Sequence, residues 1–390
     1  MLLPIPKSSV LELLRYLIRI PSVNPSLSPE EGHNEVRIAE FIVEWLRRHN
    51  VEARMEFVRP GRPNVYAEVG DDDGPTLCLC AHIDTVGTAG MEIDPFEPKV
   101  EGSNVYGRGS CDMKAGVAAL MVTAASLAAS GSIKGKLILA LVCDEEYASI
   151  GADDFVSRHK ADACILTEPS DLKMVIAHRG FLWGKVTTYG RSAHGSRWDL
   201  GESAIKKMAN VVVGLDDLDK NVLRNRQEHL IGPASMHVSL INGGVGVSTY
   251  APECTIDIER RTLPSENVDR IRLEIEEVVQ RAVKDSKVDW YFERSPFSCN
   301  PNELIIQHVT ASYESLLGKK PESVGWPFWT DATIFQAAGI PTVNIGASGV
   351  GLHESVEWVD FDSVLVNTEI LIQTATTFLQ NKERIGNINK

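Results

Sequence analysis

The sequence predicts an α/β fold in which a mostly parallel central sheet is flanked by helices, with a smaller α+β domain inserted into it. Three observations support this prediction. Strand and helix patterns alternate in the first part of the chain and again after residue 300. Acidic residues and a histidine directly follow several strands, as is typical of sites at the carboxyl ends of parallel strands. Between the two α/β stretches, the predicted order changes to β-α-β-β-α-β, which can close as a separate sheet.

The first elements are two amphipathic helices and three strands. Residues 9–20 have apolar side chains at helical spacing. Asn34 can cap a second helix at residues 35–49, which has an apolar face of the same period. Strands follow at residues 51–58, 64–69 and 76–81. The last of these is the most continuously apolar, which predicts a buried strand.

The rest of the first α/β stretch contains a helix and two strands. Residues 113–130 are rich in alanine, leucine and methionine, and Gly131 can end this helix. Apolar strands are predicted at residues 136–142 and 163–167. Acidic residues follow both strands, so the same edge of the sheet carries acids at several points.

A different pattern begins near Gly180 and ends before Asn300. Here the sequence predicts strands at 181–189, 235–241, 253–261 and 288–293, with helices at 202–213 and 267–283. After it we expect helices at 303–317, from Ala332 and from Asp362, and a strand at 342–345. The predicted domains are therefore a discontinuous α/β domain, 1–179 with 295–390, and an inserted domain, 180–294.

Composition narrows the class of protein. The chain has 53 acidic and 39 basic residues and a formal charge of −14, which argues against nucleic acid or an anionic membrane as its main partner. We find no continuous apolar run of about 18 residues and no signal peptide, so neither a membrane span nor secretion is expected. Several of the seven cysteines lie in apolar strands, where cysteine behaves as a small buried hydrophobe. We expect a reducing cytoplasm.

Two imidazoles and several carboxylates follow the predicted strands. These residues are His82, Asp84, Asp112, Glu145, Glu146, Glu168 and His353. Such ligands suit zinc, cobalt or manganese ions. A pair of metal ions about 3.5–4 Å apart needs a shared carboxylate and terminal ligands on each side. The residues present could supply such a set.

Each short motif also has a simpler interpretation. His82 and Asp84 are two residues apart and face the same way on a strand, so Asp84 can accept the other ring N–H of a metal-bound His82, or the two can form a plain surface pair. Glu145 and Glu146 point to opposite faces of an extended strand. Both reach one site only if the chain bends there, and otherwise they belong to a solvated acidic loop.

Longer motifs resemble the M20 family of co-catalytic zinc amidohydrolases and peptidases, of the acetylornithine deacetylase and succinyl-diaminopimelate desuccinylase type. They occur in the order that the family shows and cover nearly the whole chain. The motifs are AHIDTV (81–86), GRGSCDMKAG (107–116), CDEEYASIGA (143–152), LTEPS (166–170), GRSAHGS (190–196) and WTDATIFQAAGIPTVNIG with GLHESVEW (329–358). Enzymes of this type serve amino-acid metabolism.

The resemblance implies a role for each matching residue. Asp112 would bridge two zinc ions, with cobalt or manganese as possible substitutes. His82 and Glu168 would complete one metal ion, and Glu146 and His353 the other. Glu145 matches the general base, and Asp84 the residue that orients the metal-bound His82. The Asp112–Met113 peptide bond is expected to be cis.

Three further positions match the family more loosely. His194 resembles a histidine that reaches the active site, typically of the partner subunit, and stabilises the oxyanion. Arg261 resembles the arginine that holds a substrate carboxylate by a bidentate fork. Its neighbour Arg260 faces the other side of the strand, and the sequence leaves the choice between them open. Glu259 departs from the aspartate that the family commonly has at that position.

The resulting hypothesis is a di-zinc hydrolase that cleaves the amide bond of a small N-acyl amino acid and forms a homodimer through the inserted lid domain. A dipeptidase or carboxypeptidase acting on short peptides at the same centre is the nearest alternative. A non-catalytic binding protein on this scaffold is a further alternative, but such proteins usually lose ligands or the base. The sequence does not identify the acyl group or the amino acid.

Overall fold

The computed structural model describes residues 5–131 and 133–380 of the 390-residue chain. These residues form two compact units. Unit 1 combines the described residues up to Ile176 with Cys299–Val324 and those from Thr330 onward. Unit 2 consists of Ala177–Ser298 and Gly325–Trp329. The predicted division at residues 179 and 294 lies a few residues from these borders. No sequence pattern indicated that residues 325–329 belong with unit 2.

The secondary structure follows the predicted order closely. The helices are α1 (Lys7–Arg19), α2 (Val36–Arg48), α3 (Ala115–Ser130), α4 (Ile150–Arg158), α5 (Ala204–Asn221), α6 (Val268–Ala282), α7 (Leu304–Leu317), α8 (Ala332–Ala337) and α9 (Phe361–Leu379). The strands up to the end of the first stretch are β1 (Glu52–Arg59), β2 (Arg62–Gly70), β3 (Thr76–His82), β4 (Val100–Glu101), β5 (Asn104–Tyr106), β6 (Lys136–Val142), β7 (Ala163–Leu166) and β8 (Met174–His178). The remaining strands are β9 (Gly180–Tyr189), β10 (Gln227–Glu228), β11 (Gly232–Pro233), β12 (Ser235–Gly243), β13 (Glu253–Thr262), β14 (Ser286–Arg294), β15 (Phe297–Ser298), β16 (Ser323–Trp326), β17 (Thr342–Asn344), β18 (Gly349–Val350) and β19 (Trp358–Asp360).

The central sheet of unit 1 has the strand order β1-β2-β6-β3-β7-β17-β8. Strands β6, β3, β7 and β17 run parallel to one another, whereas β1, β2 and β8 pair antiparallel at the two sides. The parallel strands are almost completely buried, as expected for a sheet covered on both faces. The predicted α/β class with a mainly parallel central sheet is confirmed.

Helix α3 is the most buried helix of unit 1. Its small side chains are buried on every side from Ala115 to Leu127, which is typical of a core helix. Residues Ser110–Ser130 are long and apolar enough to suit a membrane span by length and composition, and 83% of their most apolar window is buried inside the structure. The segment also contains Asp112 and Lys114, so it is not a continuous apolar run, and its burial is that of a core helix.

A small antiparallel sheet in unit 1 joins two loops that are distant in sequence. Its order is β18-β19-β5-β4, and Trp358 lies opposite Tyr106. The sequence analysis did not predict these short strands. They hold the loop after β18 against the turn that precedes α3.

Unit 2 is an antiparallel sheet with the order β12-β13-β9-β14. Its core combines residues of the sheet with the inward faces of α5 and α6, including Val186, Leu215, Ile256 and Ile275. The connections give the predicted β-α-β-β-α-β order, with the short β10–β11 hairpin added between α5 and β12. Strand β12 is at one edge of this sheet.

Candidate metal centre

The carboxyl ends of the parallel strands bring the predicted ligands of unit 1 together. His82 is the last residue of β3, and it lies opposite Val142 at the end of β6. Glu146 follows β6, and Glu168 follows β7. Because these parallel strands are paired nearly in register, the residues after them emerge at one edge of the sheet. Asp112 lies in the turn before α3 and reaches the same edge.

The carboxylate of Asp112 lies between two histidines. Its Oδ1 is 3.1 Å from Nε2 of His82, and its Oδ2 is 3.3 Å from Nε2 of His353. His353 Nε2 is also 3.0 Å from Oε2 of Glu146, and His82 Nε2 is 3.8 Å from Oε2 of Glu168. The five side chains therefore form two half-sites that share Asp112. The Asp112–Met113 peptide bond is cis, as expected from the family resemblance.

The orientation of His82 differs in detail from the prediction. Its Nδ1 lies 3.0 Å from the backbone oxygen of Asp84, whereas the Asp84 carboxylate is 3.7 Å away. The main chain, more than the carboxylate, therefore directs Nε2 toward Asp112. Asp84 still determines the ring orientation, but mainly through its carbonyl group.

The buried carboxylate of Asp84 instead holds the loop after β6. Its Oδ1 accepts the backbone N–H of Glu145 at 3.2 Å, and its Oδ2 accepts that of Glu146 at 3.3 Å. Asn24 donates to Oδ2 at 2.8 Å. Asp84 thus fixes the two consecutive glutamates relative to His82. The contact between Asp84 and Glu145 joins residues about 60 positions apart in the sequence.

Asp144 provides the bend that adjacent glutamates need to reach one site. It has a φ of +71°, in the left-handed region that is uncommon for residues other than glycine. Its carboxylate accepts hydrogen bonds from Arg62 at 2.6 Å and Asn24 at 3.0 Å. Arg62 is in turn held by the buried Glu35 in a bidentate pair. The chain therefore leaves the extended form just before Glu145.

Glu168 is held by the neighbouring strand β17. Asn344, the last residue of β17, accepts the backbone N–H of Glu168 at 2.8 Å. The amide nitrogen of the same side chain donates to the backbone oxygen of Glu168 at 3.3 Å. Because both main-chain groups are held, the carboxylate projects from a fixed point at the edge of the sheet.

Crowding of carboxylates in this buried site changes their proton affinity. Burial and then the nearby Glu168 carboxylate raise the pKa of Glu145 well above its usual value. Burial likewise raises the pKa of Glu168. For Asp112, burial acts to raise the pKa, but hydrogen bonds from His353 and His82 outweigh it and lower the pKa. Hydrogen bonds to Asp112 and Glu146 raise the pKa of His353 to about 10.

The donor set fits a pair of divalent cations. His82, Asp112 and Glu146 offer ligand atoms that lie within 4.8 Å of one another, as do His82, Glu145 and Glu168. The buried Oε1 of Glu146 has no hydrogen-bond partner in the described structure, which is costly unless a cation binds there. Imidazole and carboxylate ligands together favour zinc, cobalt or manganese.

His194 belongs to unit 2 and is exposed. The backbone N–H of Ser196 donates to its Nδ1 at 3.2 Å, and Oγ of Ser196 lies 2.8 Å from the same nitrogen. Both contacts are made at Nδ1 and not at Nε2. Its predicted role at the oxyanion stays a prediction.

The two candidate arginines of unit 2 have different environments. Arg260 is fully buried, and its guanidinium group is paired with Glu266. That side chain is not open to a substrate. Arg261 is partly exposed, lies over the ring of Phe181 and pairs with Glu259. Of the two alternatives that the sequence left open, the structure leaves only Arg261 available to a ligand.

Several residues around the ligands were missed by the sequence analysis. Asn24, Arg62 and Asn344 position ligand-bearing segments through long-range hydrogen bonds. No local pattern around these residues sets them apart from other polar side chains. Glu357 was included in the motif GLHESVEW without a role, and it contacts the turn of Asp112.

Comparison with known proteins identifies a family and several relatives of this chain. Residues 78–377 match the sequence model of "Peptidase family M20/M25/M40". The chain is 26% identical to acetylornithine deacetylase of Vibrio atlanticus, covering 93% of this chain and 97% of that protein. It is also 26% identical to succinyl-diaminopimelate desuccinylase of Pseudomonas syringae, covering 95% of this chain and 99% of that protein.

Two further similarities concern a yeast relative and the fold. A peptidase M20 domain-containing protein of Schizosaccharomyces pombe is 30% identical over 267 residues, 67% of this chain and 63% of that protein. The chain therefore spans less than two thirds of that relative's length. A tripeptidase of Staphylococcus aureus has the same fold, with a TM-score of 0.79, 19% identity and coverage of 97% of this chain and 100% of that chain. From the match over residues 78–377, this chain belongs to the peptidase family M20/M25/M40, whose members are metal-dependent hydrolases of amide bonds.

Proposed function

We propose that this chain hydrolyses the amide bond of a small N-acyl amino acid, with two zinc ions held at the carboxyl edge of the unit 1 sheet. One ion would be held by His82 and Glu168, and the other by His353 and Glu146, with Asp112 shared. The observation that carries the proposal is the position of Asp112, whose two oxygens face two different histidines. When bound, the cations polarise the scissile carbonyl and increase the acidity of water.

Glu145 is the proposed general base. Its carboxylate lies beside His82 and Glu168, and its backbone is held by Asp84. Burial and neighbouring acids raise the pKa of Glu145 in the metal-free fold, so its ionised carboxylate is a stronger base toward the proton of the attacking water. It then donates that proton to the nitrogen of the departing amine. Glu146, its neighbour, serves as a ligand because Asp144 turns the chain.

Two residues of unit 2, His194 and Arg261, have proposed roles toward the substrate. His194 is proposed to donate a hydrogen bond from Nε2 to the developing oxyanion, a role supported by the acceptance of the Ser196 N–H at Nδ1. Arg261 is proposed to hold the substrate carboxylate. For this it exchanges its contact with Glu259 for a contact with the ligand.

The substrate class is supported by the full-length relatives. Both the deacetylase and the desuccinylase align over at least 93% of this chain, so both units have a counterpart in these relatives. At 26% identity they support a class of reaction, removal of an acyl group from an amino acid's nitrogen, and not one particular acyl group. The likeness to the tripeptidase of Staphylococcus aureus, at 19% identity, concerns the fold alone.

The experiment that tests the function is hydrolysis of a substrate panel. Zinc- and cobalt-loaded protein is incubated with N-acetyl amino acids, N-succinyl amino acids and dipeptides, and the release of free amine is measured. We expect turnover of at least one N-acyl amino acid with kcat/KM well above that for any dipeptide. Preference for dipeptides would replace the proposal with the peptidase alternative. Full metal occupancy without hydrolysis of any compound would indicate a binding protein.

We also propose that two chains associate through unit 2 in a reducing, cytoplasmic setting. The edge strand β12 and the following hairpin expose Leu240, Ile241, Val245 and Val247, which suits pairing with a second edge strand. All seven cysteines are unpaired and buried, which is usual where disulfides do not form.

A further inference from the structure

Glu357 is a fully buried carboxylate for which the proposed mechanism has no use. It follows His353 on the same loop, and its side chain is 0% exposed. A buried charge is costly unless it is paired and hydrogen-bonded. Its partners therefore indicate what this residue does.

The partners of Glu357 lie in the turn that carries Asp112. Oε1 accepts the backbone N–H of Cys111 at 2.9 Å and of Asp112 at 3.0 Å. Oε2 accepts the backbone N–H of Gly109 at 2.9 Å. Successive N–H groups directed at one point form a concave anion site, which is occupied here by a side chain of the same protein. The main chain of Asp112 is therefore fixed from the loop of His353.

Arg108 completes this arrangement and connects a third segment. It is 3% exposed, and its Nη1 donates to Oε2 of Glu357 at 2.7 Å. Its Nη2 donates to the backbone oxygen of Glu354 at 3.1 Å, and its Nε to that of Gly87 at 3.2 Å. The segments that bear His82, Asp112 and His353 are thus joined through one guanidinium group.

These loops are packed so closely that two glycines have no room for a side chain. A Cβ atom on Gly351, which has a φ of +88°, would lie 1.8 Å from the backbone oxygen of Val356. A Cβ atom on Gly349 would lie 2.4 Å from Sγ of Cys111. The loop of His353 is therefore closed on itself and packed directly on the turn of Asp112.

We propose that Glu357, braced by Arg108, is a positioning residue that fixes Asp112 relative to His353 and thereby sets the affinity of the His353–Glu146 half-site for its cation. The inference rests on the proposed two-metal centre. The other half-site depends less on Glu357, because β3 and β7 carry His82 and Glu168 directly at their ends. Loss of such an outer hydrogen-bonding partner typically lowers metal affinity about 10- to 100-fold.

The test is a cobalt titration of metal-free Glu357→Gln, followed by visible absorption. The glutamine keeps the shape of the side chain but removes its charge. It also directs an NH₂ group at backbone N–H donors that face a carboxylate in the wild type. We expect the wild type to bind two cobalt ions per chain. In the variant, one of the two ions should lose about 10- to 100-fold in affinity, with altered absorption bands, while the other changes by less than about threefold.

Glu266→Gln is the matched control. Glu266 in unit 2 also accepts a backbone N–H, from Leu263 at 2.9 Å, and pairs with a buried arginine. The Glu266→Gln substitution should lower the melting temperature of the metal-free protein while leaving both cobalt affinities unchanged. This separates general loss of stability from a specific effect on the metal centre.

Arg108→Lys provides a second variant if Glu357→Gln does not fold. It keeps the positive charge but loses the fork that joins Glu354 and Gly87, so we expect the same selective loss of cobalt affinity to a smaller extent. Wild-type cobalt binding in whichever of the two variants folds, or equal weakening of both ions, would overturn the inference. A wild-type protein that binds fewer than two ions would instead contradict the proposed two-metal centre.

Discussion

The different roles proposed for Glu145 and Glu146 depend on the residue before them. Asp144 adopts a left-handed conformation, and the backbone N–H groups of both Glu145 and Glu146 are held by Asp84. Their side chains can therefore reach one site without lying on a regular strand. The proposed division of roles between them depends on this main-chain conformation, which a two-residue acidic motif does not encode.

Replacing Glu145 with glutamine tests the proposed general base. The amide keeps the size of the side chain but cannot accept a proton, so we expect kcat to fall by about 10²- to 10⁴-fold. Metal content, measured by elemental analysis, should remain that of the wild type. Glu146→Gln is the matched control, because it should lose metal affinity as well as activity. Near-normal turnover by metal-loaded Glu145→Gln would refute the assignment.

Metal affinity should increase with pH because His353 must lose a proton before it can bind a cation. Hydrogen bonds to Asp112 and Glu146 raise the pKa of His353 from 6.5 to about 10 in the metal-free fold. Zinc affinity, measured by competition with a chelator between pH 6 and 8.5, should therefore rise with a contribution of about tenfold per pH unit from this group.

His353→Ala should lose this part of the pH dependence as well as affinity. An unchanged slope in the variant would show that His353 does not release the proton.

The raised pKa of His353 also affects the stability of the metal-free protein. The contribution of protonated His353 to the free energy of unfolding is complete below pH 6.5 and disappears as the pH rises through about 10.

At the scale of elements, the loop after β6 is held by a buried ion pair outside the ligand set. Arg62 is 10% exposed and pairs with Glu35 and Asp144, which are 0% and 2% exposed. Arg62→Met would leave both carboxylates buried without their cation. We expect it to lower the free energy of unfolding by about 3–5 kcal/mol, measured by urea denaturation of the metal-free protein.

Arg54→Met is the corresponding control on the same sheet. Arg54 pairs with Glu68, but the side chains are 39% and 31% exposed. An ion pair in this setting contributes about 0–1 kcal/mol. Equal effects of the two substitutions would show that the Arg62 pair has no special weight in the fold.

Long periodic elements could be predicted from the sequence, and short or strongly bent ones could not. Strand β6 was predicted with its observed ends, because its apolar run is continuous and bounded by polar residues. Helix α4 was missed because its first turn contains Gly151, whose close approach to Cys143 requires glycine and gives the sequence the character of a loop. Strand β8 was missed as well, because its four apolar residues and one histidine form a run too short to show a distinctive period.

The candidate site was predictable as far as residues share a motif. Every ligand that the family resemblance implies lies within reach of Asp112 or His82 in the structure. The partners that orient them were not predictable, since contacts such as Asn24 to Asp84 join distant parts of the chain. The choice between Arg260 and Arg261 required knowing which face of β13 packs against the helices.

At the scale of the whole molecule, association of two chains is the expectation that needs a direct test. Leu240 and Ile241 on the edge strand β12 are 66% and 64% exposed. Replacing both with lysine should shift the protein from dimer to monomer, measured by light scattering after size-exclusion chromatography, because charges on an exposed edge oppose pairing.

Leu273→Lys is the control for this experiment. Leu273 is 57% exposed on α6. This helix contacts β14, which is at the opposite edge of the sheet from β12, so replacing Leu273 should leave the dimer intact. If the wild-type chain is already a monomer, the proposed association is wrong. If the dimer survives the double substitution on β12, the interface lies elsewhere.

The way in which unit 1 is interrupted has a consequence for the history and engineering of the chain. Cys299 N donates to the backbone oxygen of Ile176 at 2.8 Å, so the points where the chain leaves unit 1 and returns to it are neighbours. The stretch Ala177–Ser298 thus starts and finishes at one spot, so it can be exchanged as a single insert without stretching unit 1. The second segment of unit 2, Gly325–Trp329, lies outside that insert and would have to match whatever replaces it.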